Sequence, residues 1–151
     1  MLVVTNFASD ADSIKMRKGI ILTGRVHPGE TGGSWMMKGI IDYLTGPTLN
    51  AKILRDNFVF KIVPMLNPDG VINGHSRCSL AGVDLNRIWI DPSRKLHPTC
   101  YHTKIVKWDV MLRWWRNFKK IEKYSWYVIF MAILERKMCS CVSPMTRGRW
   151  L

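Results

Sequence analysis

The sequence predicts an α/β domain with helices packed on a sheet, followed by a mostly helical tail. Three observations carry that reading. Short runs rich in Val, Ile, Leu and Thr alternate with helix-patterned segments. Gly and Pro punctuate the joints between them. Composition then changes sharply near residue 104, which divides the chain into a motif-bearing part, 1–104, and a basic, Trp-rich tail, 105–151. At 151 residues there is room for one compact core and little for a second.

Met1 to Asn6 and Lys18 to Val26 read as strands, and Ile20-Ile21-Leu22 has the continuous apolar character of a strand covered on both faces. After the loop 27–33, Ser34 is the expected N-cap of a helix that Gly46-Pro47 stops. Thr48 to Asn57 forms a second helix, with Leu49, Ile53 and Leu54 on one side and Lys52, Arg55 and Asp56 on the other. Phe58 to Pro64 is a β-rich core strand. Asn67-Pro68-Asp69-Gly70 is expected to turn the chain, with Gly70 accepting a positive φ, into an irregular loop that runs to Gly82. Helix signals resume over Thr99 to Lys120.

The net charge of +12 is unevenly spread. Residues 1–103 hold 12 Lys/Arg against 8 Asp/Glu, whereas residues 104–151 hold 11 against 3, and five of the seven Trp follow residue 104. The basic surplus therefore belongs mainly to the tail, and no nucleic-acid partner is expected; nucleic-acid or membrane-surface binding by the basic, Trp-rich tail is the weaker third reading. Met1 to Phe7 lacks a basic leader and runs into Asp10 and Asp12, which argues against an export signal. Four scattered cysteines read as reduced thiols of a cytoplasmic protein. The longest apolar stretch, Tyr124 to Leu134, falls short of the roughly 20 residues that cross a bilayer.

The chemistry concentrates in two loops that follow strands. His27 and Glu30 stand three apart across Pro28-Gly29, so an imidazole and a carboxylate can converge on one point. That pair is two-thirds of a His2Glu set, a combination that suits catalytic Zn2+. The second loop carries Arg77, Asp84, Asn86 and Arg87. A planar guanidinium beside an amide matches a carboxylate, so this loop is suited to a free chain terminus.

Arg25 to Thr31, Phe60 to Val71, Arg77 to Leu80 and Asp84 to Arg87 together resemble the M14 metallocarboxypeptidases, specifically the cytosolic carboxypeptidase subfamily, in order over roughly residues 18–104. The resemblance implies part of a mixed-sheet, phosphorylase/hydrolase-like zinc carboxypeptidase domain. It implies that His27 and Glu30 ligate Zn2+, that Asp84 orients His27, that Asn86 and Arg87 clamp the substrate's terminal carboxylate, and that Arg77 stabilises the oxyanion. It also implies removal of glutamates from acidic or glutamylated C-terminal tails, tubulin included, in the cytosol and on microtubules.

The family's third zinc ligand stands in a His-Gly-His-Ser context, and neither that motif nor a counterpart of its general-base glutamate occurs in this sequence. His75, His97 and His102 lie outside the ligand position, and Glu122 and Glu135 lack the context of the base. The expectation is an incomplete catalytic domain, with a binder of acidic tails or a truncated isoform as the alternative. Within 105–151, Trp108, Met111, Leu112, Trp115 and Phe118 form one helical face backed by Arg113, Arg116, Lys119, Lys120 and Lys123. Such a face suits either covering an open sheet or meeting an anionic surface.

Overall fold

The computed structural model describes residues 1–107. Three strands, β1 (Leu2–Val4), β2 (Lys18–Thr23) and β3 (Phe58–Val63), form one mixed sheet in the order β1-β3-β2. β1 runs antiparallel to β3, pairing Leu2 with Ile62 and Val4 with Phe60. β2 runs parallel to β3, in register from Lys18 opposite Phe58 to Thr23 opposite Val63. A parallel pair needs a crossover, and α2 (Thr31–Thr45) with α3 (Leu49–Asn57) provides it.

The core lies between this crossover and the sheet. Met37 and Leu44 of α2 meet Leu22, Phe60 and Ile62, all buried. The expected helix stop holds, since Gly46 caps α2. Thr48 caps α3 through its side chain, which accepts a hydrogen bond from Ala51 N–H. A second apolar cluster of Val26, Leu66, Leu85 and Cys100 lies under the loops that follow β2 and β3. That cluster is the floor on which the candidate site rests.

Local structure departs from the sequence expectation at four places. A short helix α1 (Ala11–Met16) intervenes between β1 and β2, capped by Asp10, whose carboxylate accepts from Ser13 N–H. Strand β2 ends at Thr23, not Val26, because Arg25 adopts a left-handed conformation with φ 50°. Helix α2 starts after Glu30 rather than Ser34, and Ser34 instead accepts a hydrogen bond from Arg25. Asn67-Pro68-Asp69-Gly70 opens a helix, α4 (Pro68–Ile72), with Asn67 as N-cap and Pro at its first turn. Gly70 has no positive φ; it is glycine because an added Cβ would lie 2.5 Å from Pro28 Cγ and 2.7 Å from the Cys78 carbonyl oxygen.

A helical segment over residues 98–107 begins where the last helix was expected, and the remainder of the expected helix lies outside the described residues, as do the two tail surfaces read from the sequence. No helix among the described residues is long and apolar enough to cross a membrane. Ile62 is fully buried at the centre of the middle strand. Ile62→Ala is expected to lower the unfolding free energy by about 2–5 kcal/mol in urea titration, through lost burial and the cavity it leaves.

Candidate metal and carboxylate site

The two site loops are held side by side beyond the ends of their strands. Gly24 N–H donates to the Val63 carbonyl at 2.9 Å, Leu66 N–H to the Gly24 carbonyl at 2.9 Å and Asn67 N–H to the Arg25 carbonyl at 3.3 Å. These bonds extend the β2–β3 pairing into the loops at the carboxyl ends of parallel strands, where α/β folds place their ligands. Asn67, itself buried, accepts from Gly70 N–H and donates to the Cys78 carbonyl at 3.2 Å. Gly29 N–H donates to the Ser76 carbonyl at 2.8 Å, and a Cβ on Gly29 would meet that oxygen at 2.9 Å. The loop carrying Arg77 is thus pinned directly against the loop carrying His27.

His27 is buried with carboxylates on both sides. Its Nδ1 lies 2.7 Å from Glu30 Oε1 and its Nε2 lies 3.0 Å from Asp84 Oδ1. A carboxylate only accepts, so an imidazole with one ring proton satisfies one of these contacts and presents a lone pair to the other carboxylate. The second contact is completed by a second proton or by a metal ion. Imidazole nitrogen with carboxylate oxygen is a donor pair that Zn2+ accepts. The fit extends to two protein donors, since among the described residues no group of three His, Cys, Asp or Glu is arranged so that it could hold one metal ion, Asp84 lying on the opposite ring nitrogen from Glu30.

Asp84 is the junction of the site. Its Oδ1 accepts from Asn86 N–H at 2.8 Å as well as facing His27, and its Oδ2 takes Arg77 Nε at 2.9 Å and Nη2 at 2.8 Å. It also caps the 3-10 turn Leu85–Arg87, so capping and histidine orientation are one role here. Burial pushes the Asp84 carboxyl up, but the Asn86 N–H, His27 and Arg77 outweigh it and hold the group below its ordinary value.

Asn86 is half-buried, and its side-chain oxygen accepts from Trp89 Nε1 at 3.1 Å. That bond fixes the amide so that its NH2 is the group left to donate. Arg87, the next residue, is exposed and forms no ion pair among the described residues. The six residues marked by the sequence therefore fall into a connected chain, Glu30–His27–Asp84–Arg77, with Asn86 and Arg87 on the adjoining turn.

The other histidines are engaged elsewhere. His75 Nδ1 contacts the Cys78 carbonyl, His97 Nδ1 accepts from Ser93 N–H, and the His102 ring meets Tyr101 edge-on. Cys100 is a packing residue: burial pushes its thiol up to about 11. Sequence reasoning missed Asn67 and Trp89 as supports of the site: Asn67 acts through the Cys78 carbonyl eleven residues on, and Trp89 through Asn86 three residues back, a local pairing that the spacing could have suggested.

Residues 1–105 match the Peptidase_M14 zinc carboxypeptidase family. The chain belongs to that family. Cytosolic carboxypeptidase 1 of Xenopus laevis is 56% identical over 100 residues, which cover 66% of this chain and 8% of the relative. Cytosolic carboxypeptidase 3 of Bos taurus is 54% identical over 104 residues, covering 69% of this chain and 10% of the relative. The chain thus matches about a tenth of these relatives' length. Among solved structures, a metallo-carboxypeptidase from Burkholderia cenocepacia superposes with a TM-score of 0.61 at 29% identity, over 69% of this chain and 28% of that one. A metallo-carboxypeptidase from Pseudomonas aeruginosa, in complex with (2-guanidinoethylmercapto)succinic acid, gives 0.58 at 27% identity, over 75% and 32%. The family membership agrees with the mixed α/β architecture.

The depressed Asp84 pKa has a definite pH consequence. A carboxyl whose folded pKa lies below its unfolded value contributes stability that is present above the unfolded value, about 3.9, and lost as pH falls through the folded one. Asp84→Asn is therefore expected to flatten the acid limb of a plot of unfolding free energy against pH, with the difference from wild type disappearing at the lowest pH. Chemical denaturation at a series of pH values checks this.

Proposed function

We propose that this chain carries the zinc-binding and carboxylate-clamping part of a metallocarboxypeptidase that removes glutamates from acidic C-terminal tails, such as those of tubulin, in the cytosol. The observation that supports it most is His27 held between Glu30 and Asp84 by loops at the ends of two paired parallel strands.

In this reading His27 Nε2–H donates to Asp84, which leaves Nδ1 and the Glu30 carboxylate as ligands to Zn2+. Zinc, when bound, supplies polarisation of the scissile carbonyl and activation of a water. Arg77 spends Nε–H and one Nη2–H on Asp84, so the two Nη1 hydrogens and the second Nη2 hydrogen remain to donate to an oxyanion. Arg87 offers a guanidinium to the substrate's terminal carboxylate and Asn86 adds an amide N–H, so the substrate is held by its free end.

A second reading is favoured by the two-donor count among the described residues and by the exposed Arg87. In it the chain holds acidic tails without cutting them. A peptide ending in several glutamates, offered with Zn2+, separates the two readings by measuring both binding and released glutamate. Release supports the hydrolase, binding without release supports the holder, and absence of both contradicts the carboxylate clamp. In either case Arg87→Ala is expected to weaken binding of the free-carboxylate peptide about tenfold to a hundredfold, the loss expected for a charge-assisted hydrogen bond. The same peptide with an amidated end is expected to bind poorly to wild type and variant alike.

A further inference from the structure

Arg25 stands two residues before His27 with φ 50°, and it is the one non-glycine residue with a positive φ among the described residues. A side chain with a Cβ rarely occupies this region, whereas glycine enters it freely. An arginine persists in such backbone only where surrounding contacts hold it there. Those contacts are specific. Arg25 Nε donates to the Pro28 carbonyl at 2.8 Å, inside the loop that carries His27 and Glu30. Its Nη1 donates to Ser34 Oγ at 2.7 Å, in the first part of α2. Its own carbonyl accepts from Asn67 N–H, in the neighbouring loop.

The start of α2 explains why such a fastening is required. Glu30 is the N-cap of α2 but makes no side-chain capping bond, because its carboxylate is committed to His27. The helix start has lost its usual anchor to the site chemistry. The Arg25 guanidinium bridges that gap, since its rigid fork joins the Pro28 peptide on one side of Glu30 to Ser34 on the other.

We propose that Arg25 is a positioning residue for the metal-ligating loop, fixing the approach of Glu30 to His27 through a two-armed grip on Pro28 and Ser34. Its functional meaning rests on the metal-site reading, but the grip itself is measured on metal-free protein, so failure of one is distinguishable from failure of the other.

The test uses the 151-residue chain with chelator present. Gly29 N–H, bonded to the Ser76 carbonyl, and Glu30 N–H, bonded to the His27 carbonyl, report loop order through amide hydrogen exchange. The 15N shifts of the His27 ring report its hydrogen bonding. Arg25→Gly relieves the backbone and removes the grip. The expected result is a thermal midpoint equal to or above wild type, exchange at Gly29 and Glu30 at least tenfold faster, and altered His27 ring shifts. Arg25→Lys keeps the charge without the fork and is expected not to restore loop protection. Unchanged exchange and ring shifts in Arg25→Gly would overturn the proposal, as would loosening shared equally by every sheet amide or full restoration by lysine. If Arg25→Gly does not fold, Ser34→Ala removes one arm alone. Faster exchange at Glu30 with the sheet amides unchanged then supports the grip, and unchanged exchange at Glu30 overturns it.

Discussion

The site depends on one buried imidazole placed between two carboxylates, Glu30 on its Nδ1 side and Asp84 on its Nε2 side. Neither carboxylate can donate when ionised, so the arrangement calls for more positive charge than a neutral histidine supplies. Arg77 answers part of that demand from beyond Asp84, and the Nδ1 side, where imidazole and the Glu30 carboxylate meet, is where the proposed zinc would answer the rest. Much of the surrounding structure serves to keep these groups at these distances. The apolar floor of Val26, Leu66, Leu85 and Cys100 carries the loops, and the extended β2–β3 pairing sets their spacing.

Holding such a site imposes local costs that the fold offsets elsewhere. Glu30 gives up the capping of α2, Arg25 adopts backbone that costs of order 1–3 kcal/mol, and Gly29 and Gly70 leave no space for a side chain. Each cost falls in the His27 loop or, for Gly70, where the neighbouring loop packs against Pro28. The core under α2, by contrast, is ordinary: Met37, Leu44, Phe60 and Ile62 pack on the sheet without polar demands. Stability is concentrated there, and constraint is concentrated in the loops.

This division also explains what was legible in the sequence. Strands β2 and β3 and helices α2 and α3 were readable from apolar patterning, and the residues that the two loops made conspicuous, Glu30, His27, Asp84 and Arg77, are ones that the fold brings into contact. Residues that answer to three-dimensional competition were not. Ser34 has the chemistry of an N-cap, yet it is taken by Arg25, and α2 begins earlier at an uncapped Glu30. Asn67-Pro68-Asp69-Gly70 reads as a turn with a left-handed glycine, yet the same residues start a helix and Gly70 is needed for close approach to Pro28 and Cys78. Asn67 supports the site through Cys78, a partner in another loop that no local pattern announces, whereas the Trp89–Asn86 bond spans only three residues.

The central claim is that His27 and Glu30 together form a cation site whose donors are set by Asp84. Calorimetric titration of Zn2+ into the purified chain, with His27→Ala alongside, tests it most directly. The account predicts a single weak site in the wild type, as expected for two protein donors, and its loss in the variant. Identical zinc binding in the two proteins would contradict it.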